Sequence, residues 1–363
     1  MTIKFVKIID VYIIKKLFAT FILAIAMIIL VVIMFDLTAK LDDFINHKVP
    51  LYKIIFNYYL NYIPYFVNLF GYLFFFIAVV FVTSKLASRT EIIAILNGGV
   101  SFWRLLQPFL LTALAVALFN LWLTNFALPN VNKARLEFEK VYYRNPYRNT
   151  LQNIHIQKQK GDCVYVQRFD NTRNTGYKFT EEFFENNTIV RKVYADIIVY
   201  DSLTGKWKMQ NWIDRTFNGK YETMERGMEK DWNLGMTPKE FNIQKIMPEE
   251  LNYRTLRQRI TIEKERGSTL VRTLEVEKWQ RMINPLAYIV LTVIGVAISC
   301  RKTRGGTGLH LAFGIALAFA FIMIMKITTA MAIQSTLHPA LSVGIPVVIF
   351  AVLSLFLVKK TPK

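Results

Sequence analysis

The sequence predicts an α-helical membrane protein of six spans, with an inserted all-β, jelly-roll-like domain between the third and the fourth. Three observations predict it. First, 53% of the residues are hydrophobic and they are clumped: Leu17 to Phe35 runs without a charge. At ~1.5 Å per residue this stretch covers ~28 Å, close to the ~30 Å hydrocarbon core of a bilayer. A buried helix in a water-soluble core rarely runs so far without a polar face. Second, the middle of the chain changes to short alternating stretches, the pattern of half-buried strands. Third, residues 129–280 hold 27 of the 45 basic and 21 of the 26 acidic residues, so 18 basic residues face only five acids around the apolar runs. Such an excess is the signature of orientation by the positive-inside rule. It argues against nucleic-acid binding, because these basic residues flank apolar helices.

The elements follow in order. Residues 1–16 carry Lys4, Lys7, Lys15 and Lys16 against Asp10. Span one is expected over about 16–35, as a retained span rather than a cleaved signal, since the run is long and lacks a small-residue cleavage site. A polar loop with Lys40, Asp42, Asp43 and His47 leads to span two, about 54–82, which contains Pro64 and Gly71 and needs tilt or a kink. A short amphipathic stretch, about 84–101, precedes span three, about 105–128, which Pro129 is expected to break. Residues 130–148 read as a charged helical extension. Strands are expected at 153–157, 163–169, 188–194, 196–200 and 206–213, with Thr204-Gly205 as a hairpin turn. Residues 249–280 return to helical composition. Spans four, five and six are expected over about 282–300, 308–333 and 340–358. The domains are thus a first transmembrane half (1–128), a β-domain with flanking helices (129–281) and a second transmembrane half (282–363).

Six spans put both termini on one side, and Lys and Arg cluster at the N-terminus, between spans two and three, between spans four and five, and at the C-terminus. All four places share that side, which makes it cytoplasmic and turns the β-domain away from the cytoplasm. Cys163 and Cys300 then lie in different compartments and cannot pair. No GxxxxGK[ST] or HExxH occurs, and the four histidines are scattered. Gly305-Gly306-Thr307-Gly308 reads as a tight turn between spans. No catalytic, cofactor or metal site is expected.

Three features remain as candidates. Asn57, Asn61, Tyr65, Asn68 and Tyr72 are spaced to lie on one face of span two. Polar side chains in a membrane helix turn toward other helices or toward a water-filled cavity. Lys326 lies deep in span five, ~27 Å from Gly308 at the helical rise, where a lysine either snorkels to the boundary or faces a cavity that receives an anion. The stretch 84–101 contains Glu91, the only acid between Asp43 and Glu137, near Lys85, Arg89 and Arg104. A lone acid there suits a salt bridge to a partner's arginine; the other reading is an ordinary interfacial helix.

"SRTEIIAILNGGVS", "IDVYIIKKLF" before span one, "WQRMINPLAYIVLTVIGVAIS" with Pro285, and "HPALSVGIP" before span six together resemble the LptF/LptG family of lipopolysaccharide-export permeases. The order of three spans, a jelly-roll domain and three spans is the family's. The entry "IDVYI" and the strand "GKWKMQNW" lean to the LptG type. The resemblance implies an inner-membrane permease subunit with no enzymatic activity of its own. Its partners would be a paralogous permease, two cytoplasmic ATPase subunits, a periplasmic jelly-roll bridge protein and lipopolysaccharide. It implies ATPase coupling through Ser88, Arg89, Glu91, Gly98 and Gly99, and a lateral gate of spans one and five. Lys40, Asn57, Asn61, Asn68 and Lys326 are the candidates for the lipid cavity. One departure stands out: where the family often places basic residues at the outer end of span one to meet lipid phosphates, Lys40 is followed by Asp42 and Asp43, which argues against direct phosphate capture there or implies a differently charged lipid. Two other functions stay open, a membrane anchor displaying a β-domain for binding or assembly, and an exporter of a different lipid or lipoprotein.

Overall fold

The computed structural model describes residues 7–142, 152–159, 161–170, 172–186, 188–202, 204–219, 221–241, 247–265, 268, 270–301, 306–334 and 336–360. Lys4, residues 143–148 of the expected charged extension, Gly305 and the C-terminal residues 361–363 lie outside them. The chain forms two compact units: Met1–Tyr143 with Pro248–Leu256 and Arg272–Lys363, and Arg144–Met247 with Arg257–Val271.

The first unit contains six helices long and apolar enough to cross a membrane: Ile8–Asn46, Leu51–Ser88, Phe102–Glu139, Leu270–Ser299, Gly306–Ile333 and Pro339–Lys359. Several exceed the expected spans because their flanking charges are neutralised on the helix itself. In span one, Lys40 Nζ lies 2.8 Å from Asp36 Oδ1 one turn earlier, so the expected loop around Lys40 to Asn46 stays helical. Span three does not end at Pro129. A π-helical turn over Leu123–Ala127 precedes it, and Pro129 falls in the first turn of the next helical segment, Leu128–Tyr142. There the missing N–H costs little. A second π segment, Ile54–Tyr59, opens span two.

Span two forms the centre of this unit. Phe75, Phe76, Val79 and Val80 are buried among Phe109, Tyr288, Ile294 and Phe321 of spans three, four and five. Glycine allows spans two and four to approach. A Cβ on Gly71 would run into the Tyr288 hydroxyl, and one on Gly295 would stand 2.9 Å from Val79 Cγ1. Small residues at such crossings let membrane helices pack through van der Waals contact. The middle of span one is different: Leu23, Met27, Leu30 and Met34 are exposed.

The second unit is a six-stranded antiparallel sheet in which each strand pairs with the next, the jelly-roll-like domain expected. The strands are β1 (Gln152–Gln159), β2 (Asp162–Asp170), β3 (Thr175–Glu185), β4 (Thr188–Asp201), β5 (Lys206–Asn218) and β6 (Tyr221–Trp232). The two stretches expected at 188–194 and 196–200 are one strand. Alternation sets the register, since a slip of one residue would invert every side chain. Ile154, Val166, Phe179, Ala195 and Trp212 lie opposite one another across β1 to β5. Gly205 turns the chain between β4 and β5 at φ 68°, with its N–H on Asp201 O at 2.9 Å. Buried Trp207 donates its indole N–H to Met236 O at 2.8 Å, which pins the segment after β6 onto the core.

A buried carboxylate gives this domain a pH signature. Glu181 is 1% exposed, accepts the Trp232 indole N–H at 2.7 Å and lies 3.3 Å from Lys158 Nζ. Burial pushes its carboxyl above the ordinary range, against the opposing pull of Trp232 and Lys158. A folded-state pKa above the unfolded one means that the folded state holds the proton longer. Its contribution to stability is therefore complete below ~4.3, the unfolded value, and is lost as the pH rises through the folded-state pKa. Glu181→Gln, which stays neutral, is expected to gain stability relative to the parent between pH 4 and pH 7.5. Urea unfolding followed by tryptophan fluorescence at both pH values measures this. A stability difference that does not change with pH would remove Glu181 as the source.

Candidate functional site

Two places in the helical unit gather polar side chains that a lipid-embedded protein has no structural need to expose. The first is at the end of the bundle where span one begins and span two ends. Span two ends at Ser88, Thr90 takes a left-handed turn at φ 63°, and a short helix runs over Glu91–Asn97. Gly99 turns back at φ 80°, and Ser101 caps span three by accepting the Arg104 backbone N–H at 3.3 Å. Ile92 is buried and holds this helix to the bundle. Ser88, Arg89, Ile93, Gly98 and Gly99 are exposed on it.

Glu91 does not pair with Lys85, Arg89 or Arg104. It accepts the Tyr12 hydroxyl at 2.9 Å and lies 3.8 Å from Lys16 Nζ, both on span one. Arg104 is taken by Asp10, which it holds through two bonds of 2.9 and 2.5 Å. The entry of span one is thus tied both to the start of span three and to the short helix. Sequence reasoning missed Asp10, Tyr12 and Lys16; their i, i+2 and i+6 spacing carries no signal until span one is laid against the loop.

The second place is a cavity of about 130 Å³ among spans two to five. Asn68 and Lys326 both line it, from spans two and five. Asn68 Oδ1 accepts from Asn120 Nδ2 at 3.1 Å and Thr124 Oγ1 at 2.7 Å. Span four supplies Arg281, 4% exposed, whose guanidinium donates to Glu277 Oε1 (2.8 Å), Leu251 O (2.7 Å) and Pro248 O (2.9 Å). Glu249 closes the wall, 3.6 Å from Arg135 Nη2. Burial and the neighbouring Glu277 raise its carboxyl above the ordinary range, while Arg135 and Arg281 pull it down. Arg135 itself lies 4.0 Å over the Tyr65 ring.

Arg281 pairs with Glu277, and Arg135 stands between two carboxylates, 3.5 Å from Glu139 and 3.6 Å from Glu249. Lys326 is exposed to the cavity side of span five and has no ion pair among the described residues. An ammonium without an ion pair on a polar wall is a local point of attraction for an anionic group. Sequence reasoning missed Arg281, Arg135, Asn120 and Thr124; the i, i+4 spacing of Glu277 with Arg281, of Arg135 with Glu139 and of Asn120 with Thr124 was the signal available, and it says nothing of their convergence.

The other cavity candidates are elsewhere. Lys40 is buried, paired to Asp36, in contact with the Tyr58 hydroxyl and 4.5 Å over its ring, among Phe44 and Phe138. Asn57 is exposed and Asn61 donates back to Asn57 O at 2.8 Å. Neither lines the cavity with Asn68: Asn57 lies within the π segment Ile54–Tyr59, which changes the angular step of an α-helical stripe, and Asn61 lies two turns away, ~10 Å along the helix.

Comparison with known proteins agrees with this architecture. The model of the family "Lipopolysaccharide export system permease LptF/LptG" matches residues 11–360. The chain is similar to the lipopolysaccharide export system permease protein LptG of Escherichia coli (strain K12), 20% identical over 279 residues, which are 76% of this chain and 77% of that protein. It is also similar to LptG of Haemophilus influenzae, 18% identical over 277 residues, with the same coverage of each chain. With the family model spanning six membrane helices and the inserted sheet alike, the chain belongs to the LptF/LptG family of lipopolysaccharide export permeases.

Proposed function

We propose that this chain is the permease subunit of an ABC-type exporter that takes lipopolysaccharide out of the inner membrane and passes it to a periplasmic jelly-roll bridge protein. A paralogous permease completes the path, and the exposed apolar faces of span one and of span five, such as Met27, Met34, Phe319 and Met323, support a seam or gate there. Two cytoplasmic ATPase subunits dock on the segment around Ser88, Arg89, Glu91, Gly98 and Gly99. Both termini lie in the cytoplasm, in keeping with the basic residues at the terminal end of the bundle.

The observation that carries the reading is the polar cavity among spans two to five, with Lys326 on its wall as a cation that has no ion pair among the described residues. A phosphorylated lipid head supplies the matching charge, and an ammonium in a partly desolvated wall attracts it more strongly than in water. A photo-crosslinking residue at Thr329, which lines the same cavity, tests this. It is expected to capture lipopolysaccharide in the assembled transporter. Lys326→Ala should cut the yield about tenfold, and Lys326→Arg should keep most of it, in line with the ~1.5–3 kcal/mol of a hydrogen bond to a charged group. Equal yields from Lys326→Ala and the parent would leave Lys326 as a lysine that only snorkels to the boundary.

A further inference from the structure

A groove of about 730 Å³ lies on the surface of the helical unit, away from the polar cavity. Leu118, Leu121, Trp122 and Phe126 of span three and Met282 of span four form its apolar walls. All five are exposed. Its volume falls in the ~300–1,000 Å³ range of small-molecule sites, so it is far larger than the gaps between neighbouring side chains. Its rim is polar and comes from Asn252, Tyr253, Arg254 and Thr255, at the start of the helix Tyr253–Glu265.

The depth of the groove names the surroundings. Trp122 is twenty residues from Phe102, the start of span three, or ~30 Å at the helical rise, the thickness of the hydrocarbon core. The apolar walls therefore stand at acyl-chain depth and the rim at head-group depth, with Trp122 and Tyr253 at the level where aromatic side chains concentrate. Arg254 is exposed and has no ion pair among the described residues, and the residues lining the groove include no acid. A guanidinium in that position matches a phosphodiester in a bidentate way.

We infer that the groove between spans three and four is a binding site for a resident anionic glycerophospholipid, its acyl chain along Trp122 and Phe126 and its phosphate on Arg254. Charge complementarity selects this occupant: a zwitterionic lipid offers the phosphate together with a cation that Arg254 repels, whereas an anionic one offers the phosphate alone. The site sits apart from Lys326 and Asn68 and does not depend on the transport reading. Its role is that of a lipid cofactor that covers the outer ends of spans three and four.

Brominated acyl chains quench tryptophan on contact and test the inference. The full chain is placed in phosphatidylcholine nanodiscs doped with either brominated phosphatidylglycerol or brominated phosphatidylcholine. The signal of Trp122 is obtained by difference from Trp122→Phe, which isolates it from the other five tryptophans. Half-quenching by the anionic lipid is expected at about fivefold lower mole fraction than by the zwitterionic one, the effect of about one basic residue near an anionic surface. Arg254→Gln should bring the two curves together, and Arg254→Lys should keep the preference. Equal curves in the parent, or a preference that survives Arg254→Gln, would overturn the site. Absence of Trp122 quenching by either lipid would also overturn it, because the groove would then be covered by protein.

Discussion

Arg281→Ala is expected to lower the thermal midpoint of the detergent-solubilised protein by roughly 10 °C, the largest loss from any single side chain around the polar cavity. The guanidinium is nearly inaccessible to solvent and makes three hydrogen bonds, to Glu277 and to the Leu251 and Pro248 carbonyls. Removing one partner of a buried pair leaves the other charge uncompensated, which costs ~3–5 kcal/mol. In a protein of this size each kcal/mol shifts the midpoint by about 2–4 °C. Arg281→Lys keeps the charge but not the fork that reaches three acceptors, so it should recover only part of the loss. Replacing both partners, Glu277→Leu with Arg281→Met, should lose less than Arg281→Ala because no carboxylate is stranded. If Arg281→Ala melts with the parent, the guanidinium is not what holds residues 248–251 to span four.

The second large effect concerns coupling. Glu91→Lys is expected to leave insertion and folding close to normal and to weaken binding of the ATPase subunit by about thirtyfold or more. Truncating or reversing one partner of an interfacial charge pair costs ~2–5 kcal/mol, against ~0–1 kcal/mol for an exposed intrachain pair. The geometry adds a control. Glu91 also accepts the Tyr12 hydroxyl and faces Lys16, so part of any loss could arise from releasing span one. Tyr12→Phe breaks that bond without changing the charge on the exposed surface. Pull-down of the ATPase subunit should therefore survive Tyr12→Phe, fail with Glu91→Lys, and return in part with a compensating charge swap on the ATPase. Equal loss in Tyr12→Phe and Glu91→Lys would move the role of Glu91 from the interface to the internal tie.

These two results separate effects that are easily confused. Arg281 acts on the integrity of the cavity wall, and its loss should be visible without any partner present. Under the proposed docking, Glu91 acts at a surface, and its loss should be invisible until the ATPase is added. Transport measurements alone would not distinguish them, since both variants would stop export.

The architecture was legible in the chain because the solvent sets it. Hydrocarbon demands long apolar helices whose backbone groups are satisfied internally, and nineteen uncharged residues such as Leu17 to Phe35 announce one. Period-two alternation around Ile154, Val164 and Val166 likewise announced the sheet, because each inward residue had to be apolar. Lys326 and Asn68 were legible as polar residues out of place in a span. What the sequence alone did not decide was which polar residues meet. Lys40, equally conspicuous, is neutralised by Asp36 a turn away and turned inward, a pairing that depends on the helix continuing past the expected end of span one. Asn57, the first residue of the stripe that ends at Tyr72, falls in a π segment, whose extra residue leaves no mark in composition. The cavity itself joins Asn68, Arg281 and Lys326 from three helices far apart in the chain. Periodicity reports the face a residue occupies on its own helix; only the packing of helices on one another, set here by close contacts such as Gly295 on Val79, decides which faces share a space.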